Sequence, residues 1–231
     1  MCDFSTRLRP WLCALPLILL QGSALADVAP APVEPNVLDM ERFLLLYRAT
    51  GDERFMQRLN QHGEQFQHAI AGRKDPNTLH NLWLTYQESA QRVHQAYAVR
   101  ELDLDSELDQ ALQVSGLFSA FLPQAETATA PSLADNLRQL ARIKAALATQ
   151  AATASGSLKA SAISARIDRQ LGALARSDAE LYASIMPRWR YLQLTERNGK
   201  TLLYPFNAQI EFILARLQAA EPRGASERLQ L

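Results

Sequence analysis

Cysteine is nearly absent from this sequence, and the two that occur, Cys2 and Cys13, lie within its first thirteen residues. No disulfide framework, thiolate metal site or cysteine nucleophile can therefore be written for the rest. Glycine is scarce too: past residue 26 the closest pair, Gly63 and Gly72, stand nine apart. That spacing leaves no phosphate cradle and no dinucleotide fingerprint, which excludes the common nucleotide-binding folds. No G-x-S-x-G elbow occurs, so no serine is marked as a nucleophile. Long apolar runs are missing as well. The longest, Trp11 to Leu20, has ten residues, half the roughly 20 that a membrane-spanning helix needs.

That run has a different meaning. Arg7 and Arg9 precede it and Ala24-Leu25-Ala26 follows it, the three parts of a secretory signal. Residues 1–26 are expected to be cleaved before Asp27, with no transmembrane anchor thereafter and a periplasmic destination. The remaining 231 − 26 = 205 residues suit one domain with a sizeable core. Pro30, Pro32 and Pro35 make 27–36 a proline-rich tether. A single helical-bundle domain is expected over 37–220, and Pro222 and Gly224 mark 221–231 as a disordered tail.

Within the domain the apolar residues recur in steps of three and four, the period of helices buried on one face. Met40, Phe43, Leu44 and Tyr47 form the first stripe, on a helix predicted to start near Val37 with Asn36 as its cap. Thr50-Gly51-Asp52 closes it and caps a second helix bearing Phe55, Leu59, Phe66 and Ile70. Asp75-Pro76 opens a third, with Leu79, Leu82, Trp83, Tyr86, Ala90, Val93 and Tyr97 as its seam. A fourth is placed from Ser106, with Asp109 completing a capping box, through Leu112 and Phe118 toward Pro123. Residues 124–131 read as loop.

Ser132 and Asp135 begin a fifth helix, buried through Leu137, Leu140, Ile143 and Leu147. The alanine-rich stretch beyond it reads as a helical hairpin turning at Ser155-Gly156-Ser157, its second arm carrying Ile163, Ile167, Leu171, Leu174, Leu181 and Ile185 and ending or kinking at Pro187. Asn198-Gly199 suits either a helix C-terminus or a small β-hairpin near 189–204, with helical flanks preferred. Thr201 and Pro205 open a last helix through Phe206, Ile210, Ile213 and Leu217. The expected fold is all-α: an antiparallel bundle of about five to seven helices.

Chemistry is harder to find. His62, His68, His80 and His94 do not stand at the i, i+4 spacing of paired helical metal ligands. Glu101, Asp103, Asp105, Glu107 and Asp109 imitate a calcium loop, but Leu108 and Val114 occupy the positions that need glycine and a bidentate glutamate. No cofactor, metal or catalytic residue is expected, and a chain of net charge 22 − 23 = −1 after residue 26 is no partner for nucleic acid. Charge is unevenly spread. Residues 27–131 hold 8 Lys/Arg against 15 Asp/Glu, whereas 132–200 hold 11 against 5. Either the acidic and basic helices neutralise each other, within one bundle or in a dimer, or the basic half faces an anionic partner. Trp83 and Tyr86, with Arg188, Trp189, Arg190, Tyr191 and Tyr204, are the candidate ligand or partner patch, since aromatic rings beside cations are common at binding surfaces.

The segment Phe43-Leu44-Leu45-Leu46-Tyr47-Arg48-Ala49-Thr50-Gly51-Asp52-Glu53-Arg54-Phe55 resembles the helix–TGD–helix segment of periplasmic four-helix-bundle sensory domains of bacterial transducers, over about residues 43–66. The resemblance implies a periplasmic helical bundle. The expected function is non-enzymatic binding, to another cell-envelope protein or through self-association as a homodimer. The alternative is a small-molecule binding or sensory module with an aromatic-lined pocket.

Overall fold

The computed structural model describes residues 33–73, 76–99, 103–122, 130–149, 154–197 and 202–227, without the side chains of 154, 155, 196, 197 and 221–227. The expected leader, residues 27–32 of the tether, the Asp75 cap and the Asn198-Gly199 turn lie outside the described residues. Eight helices occur among those described: α1 (Glu34–Thr50), α2 (Glu53–Ile70), α3 (Pro76–Ala98), α4 (Leu104–Phe121), α5 (Leu133–Ala148), α6 (Ala154–Ser177), α7 (Ala179–Arg197) and α8 (Leu203–Glu227). The chain is all-α, and the described residues include no strand. The alternative of a β-hairpin over 189–204 is thus overturned, since α7 runs to Arg197 and α8 resumes at Leu203. None of the described helices is long and apolar enough to cross a membrane.

Several boundaries follow local chemistry. Gly51 takes the left-handed conformation, φ +68°, and its N–H donates to the Tyr47 carbonyl, which closes α1. Asp52 then accepts the Arg54 N–H and starts α2. Ser132 and Asp135 form the expected reciprocal capping box of α5.

Other boundaries differ from expectation. α1 begins at Glu34, not near Val37: Pro35 sits in its first turn, where a missing N–H is harmless, and Asn36 lies inside the helix rather than capping it. Asp103, not Ser106, caps α4, accepting from the amides of Asp105 and Ser106. Gly156 and Ser157 lie inside α6 instead of forming the turn. The arm expected to run unbroken to Ile185 divides at Asp178, whose carboxylate accepts the Leu181 N–H and starts α7. Pro187 does not end α7; it lies in the interior, with Ile185, Trp189 and Leu192 buried on either side of it. α8 continues through Pro222 and Gly224 to Glu227, into the stretch expected to fray.

The buried residues fall into two cores. The first unites α1, α2, α3 and α4, with Ala145 from α5. The second unites α5, α6, α7 and α8. Contacts of α5 with both α1 and α8 join them. α1 is the axis of the first core: it packs against α2, α3, α4 and α5, and every residue from Asp39 to Tyr47 is buried. A helix surrounded on all sides has no solvent face on which to place charge. Asp39, Glu41 and Arg42 are accordingly inside, and each meets an opposite charge.

Candidate binding surface

The Thr50-Gly51-Asp52 elbow organises one end of the molecule. The Tyr97 ring of α3 lies so close over Gly51 that a Cβ there would overlap it, which explains glycine here beyond its positive φ. Tyr97 also packs on Tyr47, with ring centroids 5.3 Å apart. Tyr47 in turn stacks on His94 at 5.4 Å, and His94 Nε2 lies 2.9 Å from Glu53 Oε1. Burial and the neighbouring Glu53 carboxylate push the Tyr47 hydroxyl up to about 12, so it stays a neutral donor at physiological pH.

On the other flank, Arg54 donates to both carboxylate oxygens of Asp52, its Nη2 at 2.6 Å, and these bonds hold Asp52 well below the usual carboxylate range. The Tyr204 ring of α8 stacks on Phe55 at 5.6 Å, with the Arg54 guanidinium 5.8 Å from its centre. Arg48 ties the same end to α4 by a 2.8 Å bond to Asp105. Around this frame large apolar side chains stand in solvent: Tyr97 is 42% exposed, Val99 46%, Leu202 58% and Tyr204 46%. Leu194, in the last turns of α7, is also exposed.

Beneath the surface, the seam between α1 and α5 carries the buried charges. Asp39 receives Arg138 Nε at 3.1 Å and lies 3.1 Å from Arg42 Nη2. Glu41 is 2.9 Å from Arg142 Nη1 and accepts the Ser115 hydroxyl. Arg42, 2% exposed, also approaches Glu211 of α8 at 3.7 Å, while its Nε and Nη1 lack a hydrogen-bond partner among the described residues. Burial lowers the Arg42 pKa against the opposing pull of Asp39 and Glu211. His62 stacks on Phe43 at 5.4 Å with Nδ1 4.0 Å from Asp39 Oδ2, and burial depresses its pKa. The charge imbalance read from the sequence is therefore cancelled in part at this seam, where Arg138 and Arg142 of the basic half meet Asp39 and Glu41 of the acidic half.

The seven residues of the sequence-predicted patch do not converge. Trp83 and Tyr86 are buried in the first core, 6.2 Å apart by ring centroids, with Trp83 seated on Gly63. The buried Tyr86 hydroxyl has no hydrogen-bond partner among the described residues, and burial raises its pKa well above that of a free tyrosine. Trp189 belongs to the second core and donates its indole N–H to Asp168 at 2.7 Å. Arg188, Arg190, Tyr191 and Tyr204 are exposed, with Arg188 over the Phe212 ring at 4.7 Å. Of the seven, only Tyr204 belongs to the elbow frame.

The sequence reading missed Val99, Leu202 and Leu194 as surface residues. Val99 and Leu202 stand outside the helical stripes, where an apolar residue has no buried face to join, and that was the available signal. The calcium-like acids are separately engaged: Asp103 caps α4 and Asp105 binds Arg48. Comparison with protein-family models, curated proteins and solved structures finds no match to this chain.

Proposed function

We propose that this protein acts without catalysis, as a periplasmic antiparallel helical bundle that binds another cell-envelope protein, and that the elbow end is the binding surface. One observation carries the reading: Tyr97, Val99, Leu202 and Tyr204 expose apolar area around a backbone elbow that aromatic packing and ion pairs hold in place. A fixed frame lowers the ordering cost of association, tyrosine is enriched where binding energy concentrates, and paired charges suit the rim of a protein interface. The antiparallel arrangement is supported by the short links between helices that pack on their chain neighbours, as α5 with α6 and α7 with α8.

The test is capture from a native envelope extract on immobilised protein, comparing wild type with a Val99→Ser/Leu202→Ser variant. Both positions are exposed, so the two proteins should melt at the same temperature. A discrete envelope protein retained by wild type and lost from the variant is the expected outcome. Equal retention by both would overturn the assignment of the surface.

A further inference from the structure

The described cations of this protein fall into two populations. Those of α1 to α5 stand largely in ion pairs, including Arg42, Arg48, Arg54, Arg58, Arg92, Arg138 and Arg142. Those of α6 to α8 have no ion-pair partner among the described residues: Arg188, Arg190 and Arg216 are scattered over α7 and α8, whereas α6 gathers the exposed Lys159, Arg169 and Arg176 with Arg166, which makes only a 3.3 Å hydrogen bond to Asn136.

The four α6 cations follow one another in steps of seven, three and seven, which aligns them along a single stripe of the helix. From Lys159 to Arg176 that row is about 25 Å long at 1.5 Å per residue. Arg169 and Arg176 lie across the helix from the buried stripe of Ala160, Ile163, Ile167 and Leu171, while Lys159 and the half-buried Arg166 border it one turn from Ile163. Serine, alanine and glycine fill the outward positions between the cations, and Gly172 has open space where a side chain would be. The one acid of α6, Asp168, is engaged by Trp189 and Gln193 of α7.

We propose that the outward face of α6 docks an acidic α-helix of a partner protein, one that presents carboxylates at the same helical period. The fold contains its own precedent. Arg138 and Arg142, one turn apart on α5, are met by Asp39 and Glu41 of the helix packed against it. α6 repeats the cationic half of that arrangement over a longer row, with no acidic half among the described residues. Small residues between the cations let a second helix approach closely, and opposite charges at a matched spacing set its register. A bilayer surface fits less well: along this face only Leu158, at the stripe's edge, is a large apolar side chain available for insertion. This surface is independent of the elbow end.

The probe is a synthetic alanine-based helical peptide with four glutamates spaced seven, three and seven, labelled for fluorescence anisotropy and titrated with the purified protein at low ionic strength. A peptide of the same composition with its glutamates in one block serves as control. Binding of the patterned peptide should be at least tenfold tighter than that of the blocked one and should weaken steadily with added salt. Lys159→Gln/Arg169→Gln/Arg176→Gln should lose it at least tenfold with an unchanged melting temperature. Arg92→Gln and the elbow variant Val99→Ser/Leu202→Ser should retain it, which separates a failure of this surface from a failure of the elbow surface. Equal affinity for the two peptides, no effect of the triple substitution, or preferential binding to vesicles of anionic over zwitterionic phospholipid would overturn the proposal.

Discussion

The first core buries charge where the second buries almost none, and the difference follows from the position of a single helix. α1 is enclosed by α2, α3, α4 and α5, so its polar residues have nowhere to go but inward, and Asp39, Glu41 and Arg42 are each held by opposite charges. The first core is also rich in rings, with Phe43, Tyr47, Phe55, Phe66, Trp83, Tyr86 and Phe118 all buried. The second core is built from isoleucine, leucine and alanine on ordinary amphipathic helices, with Trp189 and Phe206 its buried aromatics. None of the described cations of α6, α7 and α8 is fully buried. An enclosed helix makes stability depend on polar geometry; a ring of half-buried helices makes it depend on apolar area and leaves charge free for partners.

The strongest way to break that contrast is to remove Arg42. Arg42→Ala removes one of two cationic partners from the buried Asp39, which keeps Arg138, and from Glu211, which keeps Arg58, and opens a void in the first core. A loss of about 3–5 kcal/mol is expected, the range for breaking a buried ion pair. Chemical denaturation should show it; a loss below about 1 kcal/mol would mean the seam is solvated. A smaller effect separates two glycines. Gly63 is covered by the Trp83 indole, so Gly63→Ala should destabilise by about 1–3 kcal/mol through overpacking. Gly172 of α6 meets nothing among the described residues, so Gly172→Ala should stabilise by about 0.5–1 kcal/mol through helix propensity. Opposite signs in thermal melts confirm the comparison, and equal signs defeat it.

The smallest expected effect is pH dependence confined to the first core. His62 is surrounded by Asn36, Asp39 and Arg42 of α1, Arg58 of its own helix and Arg138 of α5, and burial depresses its pKa. The unfolded chain, with an ordinary histidine near about 6.5, therefore takes up the proton first as pH falls. The stabilisation from neutral His62 is complete above that value and declines as pH drops below it toward the lowered folded value. Melting temperature measured from pH 7 down to pH 5 should fall less steeply for His62→Gln than for wild type. Parallel slopes would remove His62 as the cause.

Much of the architecture was legible because it depends on neighbours along the chain. Most apolar steps of α3 and α5, the Ser132–Asp135 box and the Gly51 cap are local patterns and appear where the spacing placed them, whereas Tyr97, expected in the α3 seam, is 42% exposed. The errors have equally local causes. Ser155-Gly156-Ser157 carries turn composition, yet helix continues through Gly156, which is buried. Pro187 costs a backbone hydrogen bond, yet α7 continues across it because Ile185, Trp189 and Leu192 are buried on both sides and Trp189 is anchored to Asp168. For the candidate surface, Tyr204 was named from the sequence, while Val99 and Leu202 were not, since exposure of an isolated apolar residue depends on what packs over it.

What the sequence determined by itself is the helical period, the helix ends that carry a cap such as Gly51, Asp52 and Ser132, and the separation of acidic from basic segments, because each is fixed by residues a few positions apart. It also carried a signal for the enclosure of α1: Phe43 to Tyr47 is apolar over five consecutive residues, more than a full turn, and an unbroken run of that kind belongs to a helix with no solvent face. Which helices enclose it was decided only in three dimensions. So was the fate of the basic half: Arg138 and Arg142 turn inward to Asp39 and Glu41, whereas Lys159, Arg169 and Arg176 stay in solvent. The charges are alike in sequence, and their roles diverge because α5 packs against α1 while α6 packs against α5 and α7.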